Sequence, residues 1–153
     1  MFIPEHDDQK HSIHIALPPD RCFEFFTPEG ERQWVTDWAP VYYHQPSQDK
    51  LEGSVFSTSH DGVTTWWIVV AHDPQLLTVR YSRLTPGSRA AIVDVCCEAD
   101  AGGSKVTVRY RQVGLDEGGN GLVRKMNGAA FPAMIEDWKA RISALLPSPA
   151  ATA

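Results

Sequence analysis

The side chains in this chain with the most chemistry to offer are six histidines, three cysteines and an unusual concentration of tryptophan, five in 153 residues. A metal site needs ligands that converge, and the histidine spacing does not provide that. His11 and His14 lie three apart in a run that alternates like a strand, so they point to opposite faces. His60 abuts Asp61-Gly62, His72 abuts Asp73-Pro74 and His44 lies close to Pro46. All three read as loop-edge residues, and no metal or other cofactor is expected. Cys22 has no local base to activate it as a nucleophile. Cys96 and Cys97 are adjacent in a strand-like run, so their side chains diverge and a bond between them would need an unusual turn. Gly118-Gly119-Asn120-Gly121 precedes a helical pattern, as anion-binding turns do. It lacks the Lys-Ser/Thr of a phosphate loop and any preceding parallel strand, and reads as a flexible lead into that helix.

The aromatic residues are more informative. Trp66 and Trp67 are neighbours in one strand, so one faces in and the other out, and the alternation does not say which. Trp34 and Trp38 are four apart and share a face of a short helix. Parity along the later strands puts Leu77, Val79, Tyr81 and Arg83 on one face. It also puts Ala91, Val93, Val95 and Cys97 there, with Val106, Val108, Tyr110 and Gln112. Tyr81 and Arg83 are polar exceptions on that apolar face. A buried arginine is costly unless paired. Arg83 could anchor a ligand carboxylate or enolate, or it could lie at an exposed strand end or pair with Glu29 or Glu31.

The elements that must position these residues are readable from periodicity. Ile13, Ile15 and Leu17 alternate with Ser12, His14 and Ala16, the pattern of a half-buried strand. Pro18-Pro19-Asp20 ends it and opens a short helix over Arg21 to Phe26. Thr27 caps a second short helix from Pro28, with Trp34, Val35 and Trp38 on its apolar side. Strands follow over residues 41–45, 54–60, 63–71, 76–84, 89–98 and 105–113, joined by short turns such as Asp61-Gly62. The chain from about Gly121 to Leu146 then carries helical period. Phe131, Ile135, Trp138, Ile142 and Leu145 form an apolar stripe, which Leu122, Met126 and Ala130 extend backwards. Pro132 is expected to kink this helix, with Gly128 easing the strain.

Length and charge bound the rest. The chain fits one domain over residues 1–146, with a disordered tail over 147–153. The net charge of −5 and the absence of a basic run argue against nucleic-acid binding. No apolar run is long enough for a membrane span, and MFIPEHDDQK lacks the positive and apolar regions of a signal peptide. A cytoplasmic location is therefore expected, and the odd cysteine count does not suit a secreted disulfide scaffold.

The opening SIHIALPPDRCFEFF, then TPEGERQWVTDWAP, the strands GSVFSTS, TTWWIVVAHDP and VRYSRLTPGSR, and the terminal amphipathic helix together resemble the START and birch-pollen-allergen-like (SRPBCC) superfamily, in its polyketide cyclase/dehydrase-like branch. The resemblance covers nearly the whole chain. It implies an α+β helix-grip fold: a curved antiparallel sheet of about six to seven strands, two short helices and one long C-terminal helix. It also implies a cavity between sheet and helix, where many such proteins hold sterols, lipids, polyketides or plant hormones. The residues expected around that cavity are Trp34, Trp38, Trp66, Tyr81, Arg83 and Tyr110, with Met126, Ala130 and Met134 from the helix. Its mouth is expected near Gly128, Ala129 and Ala130, where the side chains are small.

Three functions are compatible with this reading. The first is a binding protein for a small hydrophobic or aromatic ligand. The second is a cyclase, aromatase or dehydratase acting on a polyketide-like chain, with Tyr81, Arg83 and His60 as candidates; it requires at least two of these to converge. The third is an interaction module resembling the heat-shock ATPase activators, using the outward tryptophan of the 66–67 pair, with a homodimer through the same patch as its milder form.

Overall fold

A computed structural model describes residues 1–47 and 49–147; most of the tail expected to be disordered lies outside the described residues. Seven strands form one antiparallel sheet: β1 (His6–Ile15), β2 (Val41–His44), β3 (Val55–His60), β4 (Val63–Asp73), β5 (Thr78–Thr85), β6 (Arg89–Asp100) and β7 (Gly103–Gly114). Their order across the sheet is β1-β7-β6-β5-β4-β3-β2. The hairpins sit where the turn residues placed them. Asp61 and Gly62 between β3 and β4, and Ala101 and Gly102 between β6 and β7, all have positive φ, as the tight turns that suit strand twist require.

Helix α1 (Pro19–Phe23) and a 3-10 turn (Glu24–Phe26) follow β1. The second short helix expected after Thr27 is a single 3-10 turn, Gly30–Gln33. Glu29, not Thr27, stands at its N-cap, without a side-chain cap bond; Thr27 braces the turn just ahead, its Oγ1 accepting from the Gly30 N–H at 3.1 Å. The chain then unwinds through Asp37, whose φ is +60°. These pieces, with the C-terminal helices, cover one face of the sheet. On that face lie Val79, Tyr81, Val93, Val95, Cys97, Val106 and Val108, all buried as parity predicted.

The terminal region differs from the expected single helix. It is two helices, α2 (Glu117–Lys125) and α3 (Ala130–Ser143), separated at Met126–Ala129. The break falls at Gly128, whose φ of +66° is left-handed backbone that ends a helix and favours glycine. Pro132 does not kink anything: it is the third residue of α3, where a backbone N–H has no helical partner to lose. The glycine-rich segment before it is no flexible lead. Asp116 caps α2, its carboxylate accepting from the Gly119 N–H at 2.6 Å. Asn120 is buried, accepting from the Glu5 N–H and donating to the Ile3 carbonyl, both at 2.9 Å. The predicted stripe is only partly a packing seam. Phe131, Ile135 and Ile142 are buried, Trp138 is half-buried, and Leu145 is exposed past the end of α3. No described helix is long and apolar enough to cross a membrane.

Candidate functional site

A cleft of about 420 Å³ opens between α3, the Glu31–Trp38 segment and the covered face of the sheet. Its walls are aromatic. Trp34 and Trp138 have centroids 5.4 Å apart, Trp138 and Tyr110 6.2 Å, and Trp38 and Trp67 5.5 Å. Much of this wall is held by hydrogen bonds to one short segment. The Trp34 indole donates to the Phe25 carbonyl and the Trp38 indole to the Pro28 carbonyl, both at 2.8 Å. Tyr81, also expected at the site, donates to the Phe26 carbonyl at 2.6 Å. Because an unpaired buried carbonyl is costly, the tyrosine hydroxyl is committed to pinning this segment and does not line the cleft.

Of the remaining expected residues, Arg83, Tyr110, Met126 and Met134 line the cleft beside Trp34 and Trp38. Two others do not. Ala130 is the first residue of α3, to one side of the lining. Trp66 faces away: it is 37% exposed on the opposite face of the sheet, against Tyr43 at 5.2 Å between centroids. Register decides the pair, since Trp67 lies opposite both Phe56 on β3 and Arg83 on β5, and these face the helices. The outer face carries Trp66 with Ile68, Val70 and Leu84, all exposed; this is the surface on which the interaction-module and homodimer expectations fall. His60 lies far from such a role, 71% exposed beside Asp37 and Asp61.

The sequence left Trp66 and Trp67 open as alternatives and did not single out Glu31, Arg89, Gln112, Trp138 or the exposed lining residues Thr36, Asp137 and Arg141, while none of Gly128, Ala129 and Ala130, where the mouth was expected, lines the cleft. Gln112 had been placed on the inner face without a role. At the mouth, Arg141 donates to Asp137 at 2.8 Å along α3 and to the Thr36 hydroxyl at 2.7 Å, tying helix to loop. On the floor, Trp67, Arg83, Ala91 and Gln112 form one cross-strand row. Burial lowers the Arg83 guanidinium from its usual value. Arg89 is lowered to about 10, by burial first and then by the Arg83 charge, with Tyr110 opposing.

Glu31 stands on another wall, and burial holds its carboxyl well above the usual range. Such a group keeps its proton in the folded chain where the unfolded chain has lost it. Its contribution to stability is therefore complete below the ordinary value of 4.5 and is lost as pH rises through the elevated one. Glu31→Gln is expected to gain stability over wild type progressively as pH rises from about 4.5. Thermal unfolding across that range checks this, and a constant difference between the two proteins would contradict it. Among the described residues no cluster of three potential metal ligands occurs.

With sheet, helices and cleft in place, the architecture is the helix-grip fold of the birch-pollen-allergen-like and START proteins. No protein-family model matches the sequence, and no curated protein matches it. Solved structures do match in fold. A protein from Rhizobium leguminosarum superposes with a TM-score of 0.67 at 17% identity, over 93% of this chain and 97% of that one. Ginseng major latex-like protein 151, from Panax ginseng, gives 0.64 at 16%, over 93% and 99%. Norcoclaurine synthase from Thalictrum flavum, solved with dopamine and hydroxybenzaldehyde, gives 0.64 at 7%, over 95% and 91%.

Proposed function

We propose that this protein binds a small hydrophobic molecule with a flat aromatic part in the cleft beneath α3. The observation that carries this reading is the wall of Trp34, Trp38, Trp67, Tyr110 and Trp138 around a space of about 420 Å³. That volume lies within the usual range for small-molecule sites, and aromatic faces suit planar apolar ligands. The solved structure of norcoclaurine synthase, with two aromatic molecules bound, supports it by likeness of fold. Catalysis on a polyketide-like chain ranks second. Of Tyr81, Arg83 and His60, only Arg83 borders the cleft, so the convergence that chemistry demands is not there for that set.

A neutral probe, 2-naphthol, tests the reading by tryptophan quenching and native mass spectrometry. The expected result is a saturable one-to-one complex, weakened at least about tenfold by Trp138→Ala, the loss of one stacking wall. Trp66→Ser, on the other face of the sheet, is expected to leave the affinity unchanged. An absence of saturable binding, or equal weakening by both substitutions, overturns it.

A further inference from the structure

The floor of the cleft carries more positive charge than the fold needs. Arg83 projects from β5 and Arg89 from the start of β6, both half-buried and both lining the cleft. Among the described residues neither forms an ion pair with a carboxylate. The Arg89 side chain donates to the Gln112 side-chain oxygen at 3.3 Å, and Arg83 rests against the Trp67 ring at 5.7 Å. The two cations lie near enough for the charge of one to lower the other. Shielded guanidinium groups without a counter-ion are unfavourable, and two together more so.

The acids bordering the cleft do not relieve this. Asp137 is engaged by Arg141. Among the described residues Glu31 has no cation within ion-pairing distance, and burial favours its neutral form over the ionised one. An unsatisfied donor lies in the same place: Gln112 is 3% exposed, and its Nε2 has no hydrogen-bond partner among the described residues. The pairing register explains how the three meet. Arg83 and Gln112 both oppose Ala91, so the strand between them contributes only a methyl group and leaves room above it. Two arginines without a counter-ion and an amide whose Nε2 is unsatisfied offer donors that an acceptor entering the cleft would meet.

We propose that the ligand is an aromatic carboxylate, or an equally planar oxyanion, whose ring lies among the tryptophans and whose anionic group is received by Arg83, Arg89 and Gln112. This rests on the cleft being the ligand site and specifies the class of ligand it takes. A planar carboxylate matches the guanidinium fork, and its charge neutralises the repulsion between the two arginines. Glu31, Asp137 and Arg141 also border the cleft, with Asp137 held by Arg141 and burial raising the Glu31 carboxyl above its ordinary value.

A matched pair of probes separates this from simple apolar binding: 2-naphthoate and its neutral isostere 2-naphthamide, titrated by tryptophan quenching near pH 7.5. The wild-type protein is expected to bind the acid roughly 10- to 100-fold more tightly, as charge-assisted hydrogen bonds in a shielded site allow. Arg83→Met and Arg89→Met are each expected to remove most of that preference while retaining amide binding. Arg83→Met is expected to melt at or above the wild-type temperature, since it removes a shielded charge that makes no hydrogen bond; Arg89→Met also takes away the donor to the buried Gln112 side-chain oxygen and is expected to melt somewhat lower, still as one cooperative transition. That readout also shows that the variants are folded. Equal affinity for acid and amide in the wild-type protein, or a preference that survives in the double variant, overturns the anion proposal alone. Failure of both probes to bind overturns it together with the ligand reading.

Discussion

Phe131→Ala is expected to lower the free energy of unfolding by about 3–5 kcal/mol, the usual range for removing a buried aromatic ring. Phe131 has no exposed surface and sits in the first turn of α3, its ring 5.3 Å from that of Tyr110. Tyr110 is itself fixed in the sheet, paired opposite Val93 on β6. The same truncation also removes support from a wall of the cleft, so binding of an aromatic probe is expected to weaken with stability. Urea denaturation checks this, with the midpoint falling and the m-value unchanged. Leu145→Ala is the control. Leu145 belongs to the same sequence stripe but is 48% exposed, and the expected change is within about 0.5 kcal/mol. A loss below about 1 kcal/mol at Phe131 would mean that α3 is not held where its packing implies.

Gly119→Ala comes next in size. A Cβ at that position would lie 1.6 Å from the Ser88 carbonyl oxygen and 2.6 Å from its carbon. Backbone cannot rotate away as the end of a side chain can, so α2 must lift from the turn between β5 and β6. The expected cost is at the upper end of the roughly 1–3 kcal/mol typical of overpacking. The effect reaches the cleft because the turn residue is followed directly by Arg89. The Ser88 carbonyl also accepts from the Leu115 N–H at 2.7 Å, so a shift there disturbs both sides of the contact. Preference for an aromatic acid is therefore expected to fall along with thermal stability. Gly121→Ala, two residues on, meets only the end of the Arg124 side chain at 3.9 Å. It is expected to stabilise by up to about 1 kcal/mol through helix propensity. If the two glycine substitutions behaved alike, the close approach at Gly119 would be refuted.

Much of this architecture was legible in the residues. Alternation located the strands because a sheet with one covered face imposes period two, and Val79, Val93, Val95, Val106 and Val108 are buried on the face that parity assigned. Asp61-Gly62 marked its hairpin because the turn requires positive φ. The amphipathic terminal region was evident from Phe131, Ile135 and Ile142. Its division into two helices was not, because a 3.6-residue period continues across a glycine whether or not its backbone turns left-handed.

The cleft was legible only in part, for reasons of the same kind. Two adjacent tryptophans carry no parity information, so Trp67 was chosen over Trp66 by its cross-strand partners, Phe56 and Arg83. Tyr81 had the right parity but a different task, set by a carbonyl 55 residues away. Glu31 read as an acid in a helical turn and Arg89 as the residue after a turn, and nothing local marks either as shielded. The sequence by itself determined the inward faces and the order of elements, because those follow from short-range alternation and turn chemistry. Tertiary structure alone decided which charges stand together without a counter-ion, since Arg83 and Arg89 come within one cleft beside Glu31 and Gln112 only when distant segments pack.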